Sequence, residues 1–481
     1  MRQQEGEGAG PEESGAASYE PDPRRWRILA VSLLIGFMSL LDVTIVNVAV
    51  PSIRAGLGTS AATVQWVVSG YALAFGMTLV AGGRLGDAHG RRRMMTLGLI
   101  GFIVSSAAVG LAPSPAAIVV ARLAQGASAG LLTPQNSGLI QQLFRGDERG
   151  RAFGMFGFTV AVASATGPLI GGALIALLGE EDGWRSLFLV NVPIGLVALV
   201  LIRRLIPDNV DDDAGRDPRV DLPGALLLGL TVLAVLYPLI SLEAGPGLPL
   251  LLLLLAPPLA WAFVRWEQHT VGRGHPPLLD VSLLRTLPGY ANGLLVGTLY
   301  FTGFTGIFLV LSVHLQEGAG FSALHTALLL TPFALGAATT SPLAGRLVGR
   351  IGRRVTLLAL TVMMTGTALA AWLVTSPPGS LWWTLAPAMF LAGVGGGGVI
   401  SPNFTLTLAE VPPRMGGAAG GALQTGQRIG SALGAALLMT VYQASLGVTS
   451  PGVAARAALV AALVVLAVAL AAAVRSWRLG D

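Results

Sequence analysis

The chain has 481 residues, 53% of them hydrophobic and only 11% charged, whereas a soluble domain carries about 25% charged residues, so no sizeable soluble domain fits within it. It contains no cysteine and no lysine, so all 30 of its basic residues are arginine and the net charge is +5. These absences exclude disulfides, thiolate metal sites, lysine Schiff bases and lysine-dependent phosphate loops, and with the last of these ATP-driven pumping.

Residues 1–26 are polar, glycine-rich and acidic (Glu5, Glu7, Glu12, Glu13, Glu20, Asp22) before the chain turns basic at Arg24, Arg25 and Arg27. This reads as a disordered cytoplasmic tail. A secretory signal would place a short apolar run and a small-residue cleavage site there instead. Beyond it, apolar runs of roughly 18 or more residues, long enough to cross a bilayer as helices, follow one another with little interruption. They are expected near 27–49, 63–82, 94–112, 114–138, 150–176 and 184–203, then 221–240 and 247–265, then 290–315, 324–345, 355–375, 381–407, 416–446 and 453–475. The pattern predicts an all-α polytopic membrane protein of about fourteen spans. A six-helix bundle (27–203) and a linker (204–220) precede two additional helices (221–265), a second linker (266–289), a second six-helix bundle (290–475) and a short tail (476–481). The arginines fall in alternate loops: Arg91, Arg92 and Arg93, then Arg145, Arg149 and Arg151, then Arg203 and Arg204, with Arg346, Arg350, Arg353 and Arg354 in the second half. Such a bias marks the cytoplasmic side, places both termini there, and argues against a nucleic-acid partner.

Few residues inside the spans can carry chemistry. Asp42 lies deep in the first span, where a charge costs about 2.5–3.5 kcal/mol on insertion scales, so it is expected to face a cavity, pair with a cation or carry a proton. The competing reading is a buried structural pair. Thr44 and Asn47 are possible neighbours in a cavity, although Asn47 and Asp42 do not share a helical stripe. In the second span, Trp66 and Tyr71 read first as aromatic-belt residues, with Gln65 and Tyr71 kept as candidate cavity residues. Between spans two and three, Gly83-Arg84-Leu85-Gly86-Asp87 with Gly90-Arg91-Arg92-Arg93 reads as a glycine-spaced turn held at the surface by arginines. Gly345-Arg346-Leu347-Val348-Gly349-Arg350 with Gly352-Arg353-Arg354 echoes it in the second half, with Gly349 where Asp87 stands in the first. Two homologous halves follow from the echo; an ordinary arginine-rich loop is the plainer alternative.

Arg122, Gln125, Gly126, Ala129 and Thr133 share one face of the fourth span. An arginine there does not release its proton, so it would tune a carboxylate. Gly167-Pro168 with Gly171-Gly172 in the fifth span suggests a kink, a pivot or close packing. In the twelfth span Gly393 to Gly398, followed by Asn403, allows either helix unwinding beside a cavity or close packing. Gln424, Gln427 and Arg428 make a polar face on the thirteenth. Two buried cations against one clear carboxylate favour neutral, zwitterionic or anionic lipophilic cargo. His314 and His325, near outer helix ends, are expected to face water or headgroups.

Together these residues resemble the major facilitator superfamily, and within it the fourteen-span drug:proton antiporters of the EmrB and QacA type. Gly83, Asp87, Gly90 and Arg91 look like its loop motif; Arg122, Gln125 and Gly126 are similar to its fourth-span motif, and Gly167, Pro168, Gly171 and Gly172 to its antiporter motif. Leu41 to Pro51 resembles the first-span signature of the fourteen-span branch, supported by Trp184-Arg185, Asn191 to Gly195 and Asp221-Leu222-Pro223-Gly224. The resemblance implies two six-helix bundles rocking about a central cavity and a proton-coupled antiporter exporting antibiotics or other amphipathic molecules across a bacterial plasma membrane. It would act as a monomer in the bilayer, with protons as coupling ion, no other cofactor and no metal. Asp42 and Arg122 would couple protons, Asp87 would gate, and Asn47, Gln65, Tyr71, Gln125, Asn403, Gln424, Gln427 and Arg428 would line the cavity. A dedicated exporter of one metabolite, an uptake symporter and a non-transporting membrane sensor are the alternatives.

Overall fold

The computed structural model describes residues 21–179, 182–206, 219–241 and 248–480; side chains at 47, 48, 51, 55, 61, 62, 248, 323, 479 and 480 lie outside that description. So do most of the tail and most of the first linker. The described residues form helices and connecting segments, with no strand among them, and fourteen helical stretches are long and apolar enough to cross a membrane. The protein is a multi-pass membrane protein. Helices are the natural outcome, because a lipid-embedded backbone must satisfy its hydrogen bonds within its own segment.

The first half comprises α1 (Arg25–Leu57), α2 (Ala61–His89), α3 (Arg91–Gly110), α4 (Pro115–Leu143), α5 (Gly146–Leu178) and a sixth span in two pieces, α6 (Gly183–Leu189) and α7 (Asn191–Leu205). Then come α8 (Leu222–Ser241) and α9 (Ala256–Gly272), the latter preceded by a 3-10 turn over Leu248–Leu255, and the four-residue α10 (Leu283–Thr286). The second half holds α11 (Pro288–Val313), α12 (Ala323–Ile351), α13 (Arg354–Leu373), α14 (Pro378–Thr407), α15 (Gly416–Leu446) and α16 (Pro451–Gly480). Local chemistry sets several ends. The side chains of Ser60, Ser114 and Ser322 accept from the Thr63, Ala117 and His325 amides and so cap α2, α4 and α12.

Two expectations change in the structure, and one left open is decided. The segment between spans two and three is not an extended turn: α2 runs helically through Gly83 and Asp87 to His89, and Gly90 alone, at φ 95°, separates it from α3. Its other glycines serve helix packing, since a Cβ on Gly83 would overlap the Gly417 carbonyl and one on Gly86 would overlap the Gln135 side chain. Gly393 to Gly398 stay helical within α14, because α12 and α13 press against that face: a Cβ on Gly393 would strike the Phe333 backbone and one on Gly395 the Met363 backbone. Close packing holds the helix together there. His314 is only 4% exposed and its ring nitrogens have no hydrogen-bond partner, so it is buried rather than turned to water, whereas His325 meets Ser322 at the surface.

The halves meet along two seams, α2 against α15 and α5 against α12. The extra pair lies over the first seam only: α8 packs on α2 and α15, with Val232 and Leu236 against Leu73, Met77, Ile429 and Ala432.

Candidate functional site

Two polar assemblies stand out in this apolar body. The first lies inside the N-terminal half. Asp42 on α1 and Arg122 on α4 are both 0% exposed, with Oδ2 and Nη1 2.6 Å apart. The other carboxylate oxygen, Oδ1, accepts from Gln125 Nε2 and from Asn191 Nδ2, each at 3.0 Å. Both amides also donate to the Ser106 hydroxyl, at 2.8 and 3.0 Å. Arg122 in turn donates through Nε to the Val67 carbonyl (2.9 Å) and through Nη1 to Gln125 (2.8 Å). Removing one member of such a buried pair costs about 3–5 kcal/mol, because the other charge is left without compensation.

Local structure explains the convergence. The sixth span breaks at Val190, and α7 restarts at Asn191, aiming that amide back at α1. Ser106 comes from α3, so five helices contribute to one knot. Neither Ser106 nor the contact of Asn191 with Asp42 was anticipated. The available signals were weak: a Ser-Ser pair in an apolar span, and an asparagine beginning a run of Val, Pro and Ile.

From this knot a column of rings leads to the other half. The Arg122 guanidinium sits 4.2 Å from the Tyr71 ring centroid, Tyr71 meets Phe75 at 5.8 Å, and Arg428 of α15 lies 4.7 Å from the Phe75 ring. These separations fall within the range of cation–π and aromatic attraction.

The second assembly is at the arginine-rich end, where α2 meets α15. Asp87, 6% exposed, accepts from the Gly417 amide through Oδ1 (3.1 Å) and from the Ala418 amide through Oδ2 (2.8 Å). These amides belong to the first turn of α15, whose N–H groups have no partner within the helix and carry the positive end of its dipole. Arg91 holds the same carboxylate at 2.7 Å and donates to the Pro413 carbonyl and to Gln142. Gly138 makes room for Arg91, whose guanidinium occupies the space a Cβ there would take. Gln141 and Arg149 reach the Leu408 and Ala409 carbonyls, so the first half closes over the α14–α15 connection. Across the other seam, Gly150 lies against the Gly345 carbonyl and Ser341 donates to the Gly154 carbonyl.

The sequence model of the Major Facilitator Superfamily matches residues 32–435. The chain belongs to this superfamily. A "Probable actinorhodin transporter" of Streptomyces coelicolor is 38% identical over 447 residues, covering 92% of this chain and 76% of the relative. The puromycin resistance protein pur8 of Streptomyces alboniger is 39% identical, covering 90% and 84%. Among solved structures, the human organic anion transporter MFSD10 shares the fold with a TM-score of 0.67 at 17% identity, covering 94% of this chain and all of that one. Its fourteen spans and its exporter relatives fit the branch of the EmrB and QacA type. The superfamily is one of transporters, not enzymes.

Within this major facilitator frame, the other expected site residues fall in several places. Tyr71 and Gln125, expected to line a cavity, are 1% and 0% exposed and belong to the Asp42 knot and its ring column. Packing against α4 explains this: a Cβ on Gly126 would strike the Tyr71 backbone. Gln65 donates to the Ile240 carbonyl of α8 at 3.4 Å, tying α2 to the extra pair. Asn403 on α14 is buried beside Gly297, and Gln424 and Gln427 are buried on α15. Arg428 is the half-buried cation of that group. The Asn47 side chain lies outside the described residues. Gly167 abuts the Thr44 hydroxyl, which donates to the Ala163 carbonyl, so this part of the antiporter motif is an α1–α5 contact. Gly171 is buried, Gly172 has open space beside it, and Pro168 stays inside a continuous α5. Tyr300, Phe301, Phe304 and Phe308 of α11 form a ring cluster whose Phe304 and Phe308 pack on Phe333 of α12; their near-helical spacing was the one hint of it.

Proposed function

We propose that this chain is a proton-coupled antiporter that exports antibiotics or other amphipathic small molecules across a bacterial plasma membrane by alternating access, acting as a monomer with its arginine-rich end and both termini in the cytoplasm. The observation that carries the reading is the Asp42–Arg122 pair, 2.6 Å apart and 0% exposed at both members. Binding a proton at Asp42 neutralises the charge that holds Arg122 and removes an acceptor from Gln125 or Asn191. The guanidinium is then free to follow its ring contacts. That path ends at Arg428 on α15, the same helix whose first turn Asp87 caps. Proton binding and seam opening therefore act on one element, as coupling between two sites requires.

Arg428 keeps its charge half-buried while Arg122 is matched by Asp42, which favours neutral, zwitterionic or anionic cargo. The actinorhodin and puromycin named by its relatives support small organic substrates of antibiotic type. The test is proton flux in proteoliposomes challenged with a chemically diverse compound set. Export against a proton gradient by the native protein, abolished in Asp42→Asn at unchanged expression, is the expected result. Normal transport by Asp42→Asn removes Asp42 from the role, and a response to a single compound points to a dedicated exporter.

A further inference from the structure

The extra helix pair holds a second buried carboxylate that the Asp42 knot does not involve. Glu267, near the end of α9, is 0% exposed, and neither of its carboxylate oxygens has a hydrogen-bond partner. The Leu278 and Leu279 amides face it without reaching hydrogen-bond geometry. Asp221, just before α8, is supplied differently. Its Oδ1 accepts from the Gly224 amide at 2.9 Å, and both of its oxygens lie 2.8–2.9 Å from the Trp266 indole nitrogen, a donor only.

The two carboxylates converge. A Cβ on Gly224 would lie 2.5 Å from Asp221 Oδ2 and 2.7 Å from Glu267 Oε1, so both point into the space that the glycine leaves open. Among the described residues, the charged groups that bear on Glu267 are Asp221, just before α8, and Asp280 from the segment after α9, both acids. The apolar cluster beside the pair joins Phe263, Leu278 and Leu279 to Val80 and Ala81 of α2 and Ala422 of α15.

Two carboxylates that close, one of them fully buried, do not both ionise. Asp221 has donors within hydrogen-bond geometry, which favour a carboxylate there. The Glu267 oxygens have no partner in that geometry, and a proton on one of them converts it into a donor aimed at Asp221. We propose that Glu267 and Asp221 share one bound proton, forming a protonation site on the extra helix pair separate from the Asp42 knot. The site lies under the residue 278–281 segment, which rests on Val80 of α2 and Ala422 of α15. The site thus lies against the seam latched by Asp87.

Infrared difference spectroscopy on the full-length protein in lipid nanodiscs tests this without requiring transport. A protonated-carboxyl C=O band at neutral pH is expected, lost in Glu267→Gln and retained in Asp42→Asn. Asp221→Asn removes the neighbouring negative charge, so the band should titrate away at lower pH than in the native protein. A band that survives Glu267→Gln, or that titrates identically with and without Asp221, overturns the assignment.

Discussion

The two seams between the halves are built from matching sequence and end in different chemistry. Gly83 of α2 abuts Gly417 of α15, and Gly345 of α12 abuts Gly150 of α5, so the glycine contacts are equivalent. Four residues further on, the first seam has Asp87, whose carboxylate crosses to the other half and caps α15. The second seam has Gly349, and the space a side chain would fill there is taken by Asp147, from the first turn of α5 itself. Each five-residue stretch thus faces a helix N-terminus with a carboxylate nearby. In one case the carboxylate belongs to the partner half; in the other it belongs to the capped helix. An acid in its own first turn favours that helix but binds no second body. Charge therefore latches the halves on the α2–α15 side, while on the α5–α12 side shape does.

Substitutions can break or sharpen this contrast. The largest effect is expected from Asp87→Asn. It leaves Arg91 buried without its counter-charge, a loss of about 3–5 kcal/mol, and should lower both thermal stability and transport. Unchanged transport would remove the latch from the gate. Gly83→Ala and Gly345→Ala should come next and match each other, since each places a methyl group on a backbone carbonyl of the opposite half. Overpacking of this kind costs about 1–3 kcal/mol. The chain has no cysteine, so a single reporter at Leu408, which is 0% exposed, should gain thiol reactivity in both backgrounds; a gain in only one would show that the seams do not close together. Gly349→Ala should have the smallest effect, below about 1 kcal/mol, because its methyl meets only the movable end of Asp147. Combining Gly349→Asp with Asp147→Ala should move the carboxylate to the crossing position and strengthen closure, measured as reduced reactivity at the same reporter.

Much of this was written in the chain itself. The number of the spans, the two halves and the extra pair follow from apolar length and arginine placement, because a bilayer leaves a backbone few choices; the helices themselves run past the apolar runs, as α2 does to His89. Asp42 and Arg122 stood out for the same reason: a charge among apolar residues is rare enough to notice. The ring column was not legible, since Arg428 is far in sequence from the neighbouring Tyr71 and Phe75, and each residue is individually ordinary. Nor was the role of the loop glycines, which read as a turn because glycine permits turns and close packing equally. What sequence determined by itself was the solvent each segment must live in, a local property of composition. What only the tertiary structure decided was which carboxylate meets which donor: Asp42 with Asn191, Asp87 with the α15 amides, Asp147 with Gly349. Those partners are set by helices brought together across the whole chain, and no local pattern encodes that distance.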